Sequence, residues 1–207
     1  MSVCRGSALF AERKDSVKLT HLTPADYVTS AWSGGKTIQI AIGPAGAVYA
    51  NRDFLWRLSS ATVDLEESDF TALPDYSRLI APLRGEMRLT HNGGPAVELA
   101  PYQVHAFDGA DATHSWGRCT DFNLMLRKGV CEGSVAPVLL SEGECLSIPA
   151  EGNTVILYCA EGSAAVRAGG SQLTLRPGEA ALLTDAAGTV LTAENGPASL
   201  MAAHIRV

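Results

Sequence analysis

Two segments of this chain gather side chains with chemical reach on one face of an extended strand. In residues 54–63 the strand period of two groups Arg57, Ser59, Ala61 and Val63 against an apolar face of Phe54, Trp56 and Leu58. The apolar face belongs to a core, so the cation and the hydroxyl point together into either a pocket or solvent. In residues 121–126 the same parity sets Asp121, Asn123 and Met125 against Phe122, Leu124 and Leu126. Asn offers a polar ligand both a donor and an acceptor, and Met adapts its shape around it. The plainer alternative has Asp121 satisfying a turn and Asn123 facing water. Thr37 and Gln39 share a face in residues 37–42 and add neutral hydrogen-bonding groups, while Trp32, before Gly34-Gly35, is either a lid or a hydrophobic plug.

Other reactive constellations are weak. There is no Gly-x-Ser-x-Gly elbow, and Gly34-Gly35-Lys36-Thr37 lacks the upstream glycine of a phosphate-binding loop. Glu66-Glu67 reads as solvated charge in a polar loop. The five cysteines (Cys4, Cys119, Cys131, Cys145, Cys159) are odd in number, without a C-x-x-C pair, and read as reduced thiols. His105 and His114 lie nine residues apart without a third ligand, and His21, His91 and His204 are isolated in sequence and carry no assigned role. No catalytic residue, metal ligand or cofactor is assigned.

Elements of a β-rich protein must position these groups. The 207 residues are 46% hydrophobic and 18% charged, with 20 Gly and 10 Pro to make turns. A net charge of −6 argues against nucleic acid and anionic membrane surfaces as partners, since both would repel the average surface. Apolar stretches such as 154–160 and 180–183 are far shorter than the roughly 20 residues of a membrane-spanning helix. The N-terminus shows no apolar signal core, so a cytoplasmic address is expected.

Short strand-length runs recur at 37–42, 54–63, 76–83, 86–90, 97–99, 121–126, 154–159, 164–167, 172–175, 180–184 and 198–207, punctuated by Gly and Pro. Single helical turns are expected at 23–27, where Thr23-Pro24 reads as N-cap and first helical residue, and at 65–70. An internal repeat organises the rest. Gly85, a strand, Gly93-Gly94, Val97 to Leu99 and Pro101 recur as Gly162, a strand, Gly169-Gly170, Leu173 to Leu175 and Pro177. The Gly-to-Pro spacing is 16 residues in the first copy and 15 in the second. The pattern predicts an all-β fold of two jelly-roll-type antiparallel β-barrels packed as one compact unit.

The repeat resembles the central part of a cupin, and two copies resemble a bicupin. Five motifs narrow the resemblance: Trp32-Ser33-Gly34-Gly35-Lys36-Thr37, Phe54-Leu55-Trp56-Arg57-Leu58-Ser59, Leu73-Pro74-Asp75-Tyr76-Ser77-Arg78, Phe107-Asp108-Gly109 and Asp121-Phe122-Asn123-Leu124-Met125. In this order they resemble the HutD/Ves family, bicupin proteins associated with histidine utilisation. The likeness runs from about Thr20 to Gly129; the second half resembles only a generic cupin hairpin. The Gly segment after Trp32 is shorter than is usual in the family, and Asp75 and Ser77 stand where Gly and Asp are common.

The cupin metal template places Arg78 and Val155 at the Glu position, finds no His around 71–74, and puts Ala106 and Leu182 at the last ligand position, which His105 misses by one residue. A guanidinium there points to an anion site, unless Arg78 only pairs with a carboxylate such as Asp75. The resemblance thus implies a metal-free accessory or regulatory protein. It would bind a small carboxylate, such as urocanate or formylglutamate, with Trp32, Thr37, Gln39, Arg57, Ser59, Arg78, Asp121, Asn123 and Met125. An isomerase or hydrolase acting on a related compound, with Asp121 as base, is the alternative. The expected division is a leader at 1–18, a ligand-carrying barrel at 19–130 and a degenerate second barrel at 131–207 completed by N-terminal strands. A homodimer is left open.

Overall fold

The computed structural model describes residues 17–149, 151–184 and 186–207, so the expected leader and Cys4 lie almost wholly outside the described residues. The first described strand, β1 (Lys18–Leu22), is followed by a single 3-10 turn at Pro24–Asp26. The Asp26 carboxylate accepts from both the Thr23 N–H and hydroxyl at 2.8 Å, which fixes the start of that turn as the Thr23-Pro24 pair predicts.

The N-terminal unit comprises β2 (Val28–Trp32), β3 (Gly35–Gly43), β4 (Trp56–Val63), β5 (Glu67–Asp69), β6 (Tyr76–Arg84), β7 (Met87–His91), β8 (Val97–Leu99), β9 (His105–Asp108), β10 (Thr113–Trp116) and β11 (Cys119–Arg127). Six strands form one sheet in the order β2-β3-β4-β11-β6-β9, and four form its partner in the order β5-β10-β7-β8. The C-terminal unit comprises β12 (Glu132–Leu140), β13 (Cys145–Ser147), β14 (Thr154–Glu161), β15 (Ala164–Ala168), β16 (Ser171–Leu175), β17 (Ala180–Thr184), β18 (Val190–Ala193) and β19 (Ala198–Arg206). Its sheets run β1-β17-β14-β19-β12 and β13-β18-β15-β16, so the N-terminal strand β1 completes the larger one.

The repeat read from the sequence is a repeat of pairing. β6 pairs with β9 and β14 with β17; β7 pairs with β8 and β15 with β16. Gly85 and Gly162 close each copy at φ +75° and +73°, with a would-be Cβ running into the Arg118 carbonyl in one case and the Pro197 carbonyl in the other. Only glycine combines that backbone conformation with that approach.

The all-β, cupin-like architecture is as expected, each unit built of two sheets that are not continuously hydrogen-bonded into a closed barrel. One expectation needs correction. Residues 65–70 do not make a helical turn: Glu67 to Asp69 pair with Trp116 to His114 as an edge strand, because sheet pairing outweighs weak local helical preference.

The large sheets of the two units pack back to back. Trp56, Leu58, Ala81, Leu83, Phe122, Leu124 and Leu126 meet Ile156, Tyr158, Met201, Ala203 and Ile205 in one buried cluster. Burying each large apolar side chain contributes roughly 1.5–3 kcal/mol, so this interface fixes which face of β4, β6 and β11 turns away from it. Arg57, Arg78, Asp121 and Asn123 are thereby directed inward between the sheets of the N-terminal unit.

Candidate functional site

The inward face of three adjacent strands forms a small grid. Antiparallel register sets Arg57 opposite Met125 and Met125 opposite Arg78; the next row is Ser59, Asn123 and Ile80. Asp121 stands one step further, opposite Pro82, and its Oδ1 accepts the Ala61 N–H at 2.8 Å. This face borders a cavity of about 310 Å³ lined also by Thr37, Trp32, Ser30, Tyr49, Ser68, Asp69, Phe70 and Thr71. Eight of the nine residues singled out from the sequence thus line one cavity. The ninth, Gln39, stands behind Arg57 and accepts its Nε at 2.9 Å.

The two arginines are held differently. Arg57 donates to Gln39 and, through Nη1, to Ser59 Oγ at 3.0 Å, and its guanidinium lies 4.2 Å from the centre of the Tyr49 ring. Arg78 is only 6% exposed, yet it forms no hydrogen bond and no ion pair with the described residues, and its Nε is buried without a partner. It packs instead against the rings of Phe70 and Phe107, at 4.8 and 5.0 Å. The ordinary pairing with Asp75 is not formed. Ring faces attract a cation but leave its N–H groups unsatisfied, so Arg78 retains the full hydrogen-bonding capacity of its fork.

Burial dominates the electrostatics of the grid. It lowers the proton affinity of Arg78 to about 10, with Asp121 opposing the shift, and also lowers that of Arg57. Both remain cationic at neutral pH. Burial pushes the Asp121 carboxyl up to about 6, opposed by the Ala61 N–H, Arg78 and Arg57. Asp69 lies at the rim with its carboxylate held by His114 Nδ1 at 2.7 Å. The buried charges of the cavity are therefore two cations and the Asp121 carboxylate, with the exposed Asp69 carboxylate also on its lining.

Sequence parity missed Tyr49, Phe70 and Phe107. Tyr49 sits in a 3-10 turn (Tyr49–Asn51), Phe70 lies inside the expected helical turn at 65–70, and Phe107 is named only within the motif Phe107-Asp108-Gly109. After Phe107 the chain turns, and Asp108 Oδ1 accepts the Ala110 N–H at 2.8 Å. An alternation test over residues 105–108 pairs His105 with Phe107 and would have found the ring. The histidines read as isolated in sequence all have neighbours in space. His91 and His105 share an Nε2···Nε2 hydrogen bond of 3.0 Å, His21 meets Glu179 at 3.1 Å, and His204 Nδ1 lies 3.3 Å from the Glu151 carbonyl. His114 turns to Asp69 and Glu67, not to His105.

A cupin-type metal does not fit these donors. A guanidinium occupies the carboxylate-ligand position, and among the described residues no group of three or more His, Cys, Asp or Glu is placed to hold a metal ion. Among the described residues, no helix is long and apolar enough to cross a membrane.

Two facing-sheet units with a polar cavity in one of them define a bicupin-like protein, and a cupin-2 conserved barrel protein from Leptotrichia buccalis superposes with a TM-score of 0.58 at 10% identity, over 90% of this chain and 96% of that one. The chain belongs to the HutD family, whose profile matches residues 24–201 and so extends through the half that by sequence resembled only a generic cupin. A conserved protein of unknown function from Pseudomonas aeruginosa PAO1 is 27% identical, with a TM-score of 0.80 over 92% of this chain and all of that one. HutD from Pseudomonas fluorescens SBW25 is 24% identical, with a TM-score of 0.70 and the same coverage. An uncharacterized 21.2 kDa protein in the hutC 3′ region of Pseudomonas putida is 35% identical over 115 residues, which span 52% of this chain and 58% of that protein. This chain is thus a cupin-like protein of the HutD family, a family associated with histidine utilisation.

Proposed function

We propose that this protein binds a small carboxylate in the N-terminal cavity and serves histidine utilisation as a cytoplasmic accessory or regulatory protein. The observation that carries this reading is Arg78: a guanidinium 6% exposed, without a hydrogen bond to any described residue and with its Nε buried and unpaired, facing a cavity. A buried charge with unsatisfied donors is destabilising by several kcal/mol unless something completes it. A carboxylate completes it, accepting two N–H bonds in the plane of the fork while the two buried guanidinium groups favour its charge. Urocanate and formylglutamate are the histidine-breakdown carboxylates of suitable size.

Calorimetry with urocanate, formylglutamate and glutamate tests the reading. Loss of a charge-assisted contact of this kind costs on the order of 2–5 kcal/mol, so Arg78→Ala should weaken binding roughly 30-fold or more. No binding at millimolar concentration, or unchanged binding by Arg78→Ala, refutes it. A second reading, an isomerase or hydrolase acting on a related carboxylate, draws on Asp121, a carboxyl raised to about 6 beside two arginines. Turnover of urocanate or formylglutamate that disappears in Asp121→Asn would favour it.

A further inference from the structure

Arg78 is not the only unsatisfied group on the grid. Asn123 is 5% exposed, and its Oδ1 is buried without a hydrogen-bond partner among the described residues. The two orphans are of opposite kinds, a donor and an acceptor. Their strands are paired with Met125 opposite Arg78, so Asn123 lies two residues along from the Arg57–Met125–Arg78 row, about 7 Å of strand. Beyond it stands the Asp121 carboxylate, with one oxygen held by the Ala61 N–H. Along the strand the cavity wall therefore passes from cationic, through an amide, to acidic.

Resting on the carboxylate reading, we propose that the cavity selects a carboxylate that carries an N–H donor further along the molecule, the carboxylate on Arg78 and the N–H on the Asn123 side-chain carbonyl. A carboxylate with no donor satisfies Arg78 but keeps Asn123 Oδ1 dry and unpaired. The acceptor, already dry in the free protein, then gains nothing from binding, whereas an N–H donor makes the hydrogen bond it lacks. The acidic end of the wall reinforces the preference, since Asp121 favours a polarised or cationic N–H over a lone-pair donor atom in the same place.

Two ligands that differ only in this group, 3-acetamidopropanoate and its ester analogue 3-acetoxypropanoate, isolate the effect. Their affinities are to be measured by calorimetry on the whole protein and on Asn123→Leu, which removes the amide while keeping similar bulk. In the wild type the amide should bind roughly 10-fold or more tighter than the ester, the difference expected for one desolvated acceptor left unpaired. In Asn123→Leu the ratio should fall to near one, with the ester bound as well as by wild type. Equal affinities in the wild type, or a preference that survives in Asn123→Leu, overturn the proposal and leave the carboxylate site standing. Failure of both compounds to bind overturns the carboxylate site and this proposal together.

Discussion

Asp121 allows the electrostatic account to be tested without any ligand. Its carboxyl is held at about 6 in the fold against 3.8 when unperturbed, chiefly by desolvation. A difference of that size corresponds to about 3 kcal/mol. Because the folded value is raised, the stability linked to this proton is fully present below about pH 4 and is lost as pH rises through about 6. At pH 7.5 the protein therefore carries the whole cost of an ionised carboxylate at 5% exposure. Asp121→Asn keeps an oxygen to accept the Ala61 N–H and imitates the protonated carboxyl without the charge. The attraction of Arg57 and Arg78 for the carboxylate is already contained in the net shift, so the variant should be more stable than wild type at pH 7.5 by up to about 3 kcal/mol. The gap should close toward pH 4. Urea denaturation followed by tryptophan fluorescence between pH 4 and 8 measures it, and other titrations, such as those of His105 and His114, cancel in the difference. A variant less stable than wild type at pH 7.5, or a gap independent of pH, would show that attraction to the arginines outweighs desolvation and would refute the reasoning.

Arg78→Met should fold as stably as wild type or more so, because it removes a buried charge that has only ring partners, while abolishing carboxylate binding; thermal denaturation with and without urocanate reads both effects. Gly85→Ala and Gly162→Ala should each cost at least about 2 kcal/mol, since both place a side chain at positive φ and drive Cβ into a carbonyl across the sheet, and chemical denaturation of the two should give similar losses. Tyr76→Phe should cost about 1–2 kcal/mol in the same assay. Its hydroxyl donates toward the carbonyls of Arg52 and Phe54 at 2.9 Å and accepts from Arg127 at 2.8 Å, tying the segment before β4 to β6 and β11.

What the sequence made legible follows from period and punctuation. Strand parity sorted Arg57 and Ser59 from Trp56 and Leu58, and Asp121 and Asn123 from Phe122 and Leu124, because a sheet packed on one face leaves no freedom in register. The paired glycines located both copies of the repeat, since Gly85 and Gly162 occupy conformations that other residues avoid. Short or exposed strands were illegible. β2 is exposed at every residue, so nothing in its apolar pattern marks it, and β5 pairs through three residues of a polar segment. The rings over Arg57 and Arg78 escaped for a related reason: Tyr49 and Phe70 come from segments whose local sequence does not fix where they fold back. His91 and His105 sit on different strands, and only the closure of the two sheets brings their rings together.

The second copy of the repeat acts as a control for the first. Counted from Gly85 and Gly162, Arg78 corresponds to Val155 and Ile80 to Leu157; counted from the strand each glycine meets, Asp121 corresponds to Leu200 and Asn123 to Ala202. Val155, Leu157, Leu200 and Ala202 all lie in the buried apolar core of the C-terminal unit. The same architecture thus fills these positions with hydrocarbon and closes over them. Nothing in the fold requires a guanidinium, a carboxylate and an amide there, and each is disfavoured by burial. Where one copy keeps three buried polar groups, two of them with atoms left unpaired, and the other replaces every one with an apolar residue, the polar set is explained by what enters the cavity rather than by what holds the sheets together.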